Sequence, residues 1–196
     1  MQYYIYSLFC FLLPGTVWLI CNRRMIADKA YKVRHIIWIY IYMFYGYLAM
    51  QEAAGIGTIW DLITYGKLDN SINLIPFSSE GAMTYILNII MFMPLGFLLP
   101  FIWKNFRNAK KVVLMGFLMS LAIEICQLFN LRTTDIDDLM MNTLGALAGY
   151  CCWKVFSLIF RNAGTKCMEI KKSEPVIYMF GGILGLFLLY NWRVFD

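Results

Sequence analysis

Six long apolar stretches, almost free of charge, govern what this chain can fold into: Tyr3 to Ile20, Ile36 to Met50, Tyr85 to Trp103, Val112 to Phe129, Leu139 to Phe160 and Val176 to Trp192. About 20 apolar residues rising ~1.5 Å each cross the hydrocarbon core of a bilayer, so each stretch is a candidate transmembrane helix. The second reaches full length if it starts at Val33 and Arg34 snorkels; the fifth carries Lys154 near one end, where it can do the same. Composition agrees. The chain is 61% hydrophobic and 15% charged, against roughly 45–50% and 25% in soluble domains. A soluble protein of 196 residues cannot hide that much apolar surface. Disordered, collagen-like and disulfide-scaffold classes fall away with the same figures. The expected fold is an all-α integral membrane protein, one domain over residues 1–196, built as a bundle of about six transmembrane helices. No basic residue precedes the first run, which is expected to stay in place and not to act as a cleaved secretory signal.

The net charge of +5 would suggest nucleic acid if the basic residues were scattered. They are sorted instead. Three short loops hold Arg23, Arg24, Lys29, Lys32 and Arg34, then Lys104, Arg107, Lys110 and Lys111, then Arg161, Lys166, Lys171 and Lys172, which is 13 of the 17 basic residues. The alternate loops collect Glu52, Asp61, Asp69, Glu80, Asp135, Asp137 and Asp138. The positive-inside rule places the basic loops in the cytoplasm and both termini outside. The basic excess is a topology signal, the lipid bilayer is the expected partner, and no nucleic acid is expected.

Residues 51–84 are too long for a tight turn and too polar for a span. Ile56, Ile59, Trp60 and Ile63 recur at helical spacing, and Trp60 and Tyr65 favour the headgroup level, so an outer interfacial or re-entrant segment between the second and third spans is expected. Pro76 forces Ile75 out of the helical region. Cys10, Cys21, Cys126, Cys151, Cys152 and Cys167 show no paired framework and no C-x-x-C. The lone His35 reads as an interfacial side chain at the inner edge of the second span.

Polar side chains inside a span are costly and face a protein interior or a wet cavity. Ser120, Glu124 and Gln127 share one face of the fourth span; Asp135, Asp138 and Asn142 share one face of the fifth; Asn88 lies above Pro94 and Gly96 in the third. With the topology above, all fall in the outer half. Asp135 or Asp137 also suits a helix cap, Arg132 suits an ion pair across its loop, and Gly145 and Gly149 suit close helix packing. Glu124 has no such structural excuse.

In their order along the chain, Asn73-x-x-Pro76-Phe77, Asn88-x-x-x-Phe92-x-Pro94-x-Gly96, Ser120-x-x-x-Glu124-x-x-Gln127 and Arg132-x-x-Asp135-x-Asp137-Asp138-x-x-x-Asn142-x-x-Gly145 resemble the successive motifs of the VanZ-like family. The resemblance covers a core of about residues 70–150. It implies a small polytopic protein of a bacterial plasma membrane, from a family whose named member is associated with reduced susceptibility to teicoplanin and related lipoglycopeptides. The expected function is to bind or modify an outer-leaflet lipid, a lipid-linked cell-wall precursor or the glycopeptide itself. Asn73, Asn88, Glu124, Gln127, Arg132, Asp135, Asp138 and Asn142 are the candidate binding residues. No cofactor is expected on this reading. An alternative is a metal-dependent enzyme acting on polyprenyl-linked or phospholipid substrates, with Glu124 and Asp138 as catalytic candidates and Glu124, Asp135 and Asp138 as hard oxygen ligands for Mg²⁺ or Mn²⁺. A second is a small transporter with Glu124 as a proton or cation relay.

Overall fold

A computed structural model describes residues 2–27, 32–51, 55, 57–66, 72–77, 81–129, 134–160, 171–191 and 194. Among them are eight α-helices: α1 (Gln2–Cys21), α2 (Arg23–Ala27), α3 (Lys32–Ala49), α4 (Ile59–Tyr65), α5 (Ala82–Ile102), α6 (Ala109–Gln127), α7 (Ile136–Ile159) and α8 (Glu174–Leu189). Two-residue strands β1 (Ile72–Asn73) and β2 (Thr134–Asp135) and a 3-10 turn at Lys104–Phe106 complete the described elements. The six apolar runs thus become the six long helices. By length and composition, α1 and α5 suffice to cross a bilayer, and α8 is apolar but has 16 residues.

The outward faces are apolar and the buried seams hold the polar groups. On α6, Leu114, Phe117, Leu118, Leu121 and Ile125 are exposed while Ser120, Glu124 and Gln127 are buried. On α7, Leu144 and Leu147 are exposed while Asn142 is buried. In water this arrangement would leave a continuous apolar surface; a lipid environment favours it. The short α4 follows the same rule. Trp60 and Ile63 point outward, whereas Thr58 and Asp61 are buried, with the Thr58 N–H and hydroxyl both donating to Asp61 Oδ2 at 2.8 and 2.9 Å.

The helices form two groups. In the first, α1 runs antiparallel to α8: the Tyr6 hydroxyl donates to the Leu189 carbonyl at 2.8 Å, and Trp18 meets Tyr178 edge-on at 5.4 Å. The Phe11 ring fills the space that a side chain on Gly182 would need. α3 packs beside them, with Tyr47 accepting or donating a 2.9 Å hydrogen bond with Ser7. In the second group, α5 and α7 run parallel and very close. A Cβ on Gly145 would overlap the Ile89 carbonyl and lie 2.9 Å from Phe92 Cβ, and one on Gly149 would overlap the Met93 carbonyl. The small-residue spacing therefore serves helix packing. α6 lies antiparallel against α7. Across the two groups, the Tyr45 hydroxyl donates to the Met91 carbonyl at 2.9 Å, in the turn that Pro94 deprives of a ladder hydrogen bond, and Phe129 meets Phe187 at 4.8 Å.

Charge follows the two ends of the bundle. The starts of α3, α6 and α8 and the end of α5 carry Lys32, Arg34, Lys110, Lys111, Lys171, Lys172 and Lys104; the opposite end carries Asp61 and the aspartates at the start of α7. Lys29, Lys67, Arg132, Arg161, Lys166, Arg193, Glu52, Asp69, Glu80, Cys167 and Ile56 lie outside the described residues. The five described cysteines are free.

Replacing Gly149 with valine is expected to wedge α5 from α7 and destabilise the fold by about 1–3 kcal/mol. A lowered unfolding midpoint of the detergent-solubilised protein checks this.

Candidate functional site

Parallel packing brings the first turns of α5 and α7 side by side, so two positive helix ends point the same way and anionic side chains are favoured there. Asp135, Asp137 and Asp138 supply them. Asp135 is the N-cap of α7, its Oδ1 accepting from the Asp137 N–H at 2.9 Å, while its Oδ2 accepts from Asn73 Nδ2 at 3.0 Å. Asn73 stands opposite Asp135 in the parallel pairing of β1 with β2, and its own Oδ1 accepts from the Ile75 N–H at 3.2 Å.

Asp137 is fully buried and ties the preceding loop down. Both its oxygens accept from the Phe77 N–H, at 2.8 and 2.9 Å, and Oδ2 also accepts from the Tyr85 hydroxyl at 2.9 Å. Phe77 has φ of 60°, the left-handed region that a bulky residue avoids. Asp137 and the edge-on Tyr85 ring, 6.0 Å away, hold it there. Asp138, one residue on, accepts from Asn88 Nδ2 on α5.

Glu124 reaches the same end from α6. It is 3% exposed; its Oε2 accepts from the Asp135 N–H at 3.1 Å, and its backbone carbonyl accepts from Thr134 Oγ1 at 3.3 Å. Its Oε1 is buried with no hydrogen-bond partner. One turn earlier on α6, Ser120 Oγ accepts from Asn142 Nδ2 at 3.0 Å, and Asn142 Oδ1 is likewise buried without a partner.

Glu124, Asn73, Asp135, Asp138, Asn88 and Asn142 therefore assemble at one end of the bundle, but in pairs that the spacing did not reveal: Asn88 serves Asp138 and Asn142 serves Ser120, so neither is bonded to Glu124. Gln127 is buried at the end of α6. Arg132 falls outside the described residues. Among the described residues no group of three or more His, Cys, Asp or Glu side chains is disposed to hold a metal ion, so Glu124, Asp135 and Asp138 do not gather as a ligand set. Asp137 and Tyr85 belong to this end as well, although the sequence does not single them out. Asp137 sits inside the motif but reads equally as a cap, and Tyr85 carries no signal beyond being a tyrosine at a helix start.

The opposite end holds a second buried cluster. His35 is 4% exposed, a correction to the interfacial reading. Its Nε2 donates to Glu174 Oε1 at 2.9 Å, and Trp103 Nε1 and the Tyr178 hydroxyl donate to the same carboxylate at 3.1 Å each. Glu174 opens α8 directly before Pro175, a placement favoured by the helix dipole and by proline's tolerance at the first turn. The partners are 139 residues apart in sequence, which is why neither announces the other.

An all-helical bundle with lipid-compatible faces, two helices able to cross a bilayer and its polar side chains turned inward defines a helical membrane protein. Residues 32–158 match the VanZ/LLP1 family, and the chain belongs to that family. It is also 36% identical over 134 residues to Protein VanZ of Enterococcus faecium, an alignment covering 67% of this chain and 77% of that one. No solved structure matches it.

Two substitutions separate the clusters. His35→Ala leaves the buried Glu174 carboxylate short of one hydrogen-bond donor and is expected to cost about 1–3 kcal/mol. Asp137→Ala strips the acceptor from the half-buried Tyr85 hydroxyl and from the N–H of exposed Phe77, at about 0.5–1.5 kcal/mol each, and frees the turn at Pro76. Unfolding midpoints in detergent report the first; protease cleavage near Phe77, faster in Asp137→Ala than in wild type, reports the second.

Proposed function

We propose that this chain is a multi-pass protein of a bacterial plasma membrane with six spanning helices, its basic end in the cytoplasm, and both termini outside. The positive-inside rule supports that orientation, as does the meeting of Tyr6 with Leu189 and of Trp60 with Leu188 at the acidic end. In this setting the chain lowers susceptibility to teicoplanin-class lipoglycopeptides by binding an outer-leaflet lipid, a lipid-linked cell-wall precursor or the drug at the acidic end. The observation that carries the reading is Glu124: a carboxylate enclosed in a helix seam, with one oxygen lacking any partner, is costly unless something is bound there.

Expression in a susceptible strain tests it. Wild type is expected to raise the inhibitory concentration of teicoplanin, whereas Glu124→Gln and Asp138→Asn, inserted at the same level, return it to that of the empty vector. Full protection by both variants removes the acidic end from the account.

The transporter reading gains support from one observation. The buried His35–Glu174 pair supplies an ionisable group at the end opposite Glu124. Proton-coupled flux in proteoliposomes, abolished by Glu124→Gln, selects that reading; binding without flux selects the first.

A further inference from the structure

We propose that Glu124 and Asn142 form a seat for a monovalent cationic group in the seam between α6 and α7. The inference rests on the functional reading above and names the chemistry of what that site takes. Glu124 Oε2 is occupied by the Asp135 N–H and Asn142 Nδ2 by Ser120, so both side chains are fixed in the seam. What remains on each is an oxygen acceptor, Glu124 Oε1 and Asn142 Oδ1, on residues 3% and 2% exposed, with no donor. A buried acceptor without a donor costs about 1–3 kcal/mol, more when charged. Ser120 and Glu124 lie one turn apart on one helix face, and Asn142 meets that face through Ser120, so the two side chains are neighbours in the seam.

The character of the seat selects its occupant. Carboxylate and amide oxygens accept and do not donate, and Asp135, whose N–H Glu124 accepts, and Asp138 bring further carboxylates to the same end; a phosphate or carboxylate is repelled there. One carboxylate contributes the free oxygen, and no group of three metal-ligating side chains exists among the described residues, so a single unneutralised negative charge faces the seam. A single positive charge matches. A primary ammonium on a ligand and a small inorganic cation share that chemistry.

The test uses the purified full chain in a neutral detergent at constant ionic strength. Choline chloride, whose cation has no N–H donor and shields its charge behind methyl groups, is the baseline. Sodium, potassium and ethanolammonium chlorides are compared with it by unfolding midpoint. Wild type is expected to gain about 2–4 °C when a seated cation is present well above its dissociation constant. The gain is expected to vanish in Glu124→Gln and to shrink in Asn142→Leu. A gain with sodium or potassium identifies an inorganic ion; a gain confined to ethanolammonium identifies a ligand's amine. Equal midpoints for wild type in all four salts overturn the proposal, as does an undiminished gain in both variants. A midpoint that rises on acidification alone, equally in choline and sodium, assigns the two oxygens to a proton and also overturns it. Any of these failures leaves the drug-protection assay standing, and that assay fails independently if Glu124→Gln still protects.

Discussion

The close parallel contact of α5 with α7 sets the rest of the architecture. Two helices that run the same way cannot be joined by a tight turn, so the chain must return between them, and α6 is that return. The contact also aligns two N-termini. Their unpaired N–H groups and summed dipoles make that end of the bundle attract anions, and the three aspartates in the cap and first turn of α7 supply negative charge from within. Glycine at the interface is what permits the approach: with side chains at Gly145 and Gly149, the backbones of α5 would have to withdraw, and the strand pairing of Asn73 with Asp135 would lose its register.

From that geometry the acidic end divides into two kinds of carboxylate. Asp135, Asp137 and Asp138 are engaged by donors from the loop, α5 and α7 itself. Their part in the observed structure is architectural, positioning Phe77 and the turn at Pro76. Glu124 is different in kind, because it comes from the antiparallel helix and keeps an oxygen unspent. A strained, non-glycine backbone at Phe77 at the same end of the bundle as an unsatisfied buried acid is the sort of local inconsistency that sequences retain at working sites.

The helices were legible in the sequence because lipid imposes a length and a polarity on every span, and the residues excluded from that rule, Ser120, Glu124 and Asn142, were conspicuous for the same reason. Helical spacing placed them on faces correctly. It could not say which face met which, so the pairing of Asn88 with Asp138 and of Asn142 with Ser120 emerges only from the packing. The His35–Glu174 contact was invisible for a related cause: a pair formed by the starts of α3 and α8 leaves no periodicity in either. On α4 the apolar face was read correctly from Trp60 and Ile63, and the structure adds that its opposite face is knitted by Thr58 and Asp61 into a buried turn.

The family match begins at the start of α3 and ends within α7, leaving α1 and α8 outside it. These two helices nevertheless embrace one another, with Phe11 seated over Gly182, and Glu174 fastens the pair to the matched core through His35 and Trp103. The chain is thus a core with a two-helix collar whose halves sit at opposite extremes of the sequence. A collar of that design completes only when the last helix has been synthesised and docked, so the matched core must persist in the membrane with one flank bare until α8 arrives.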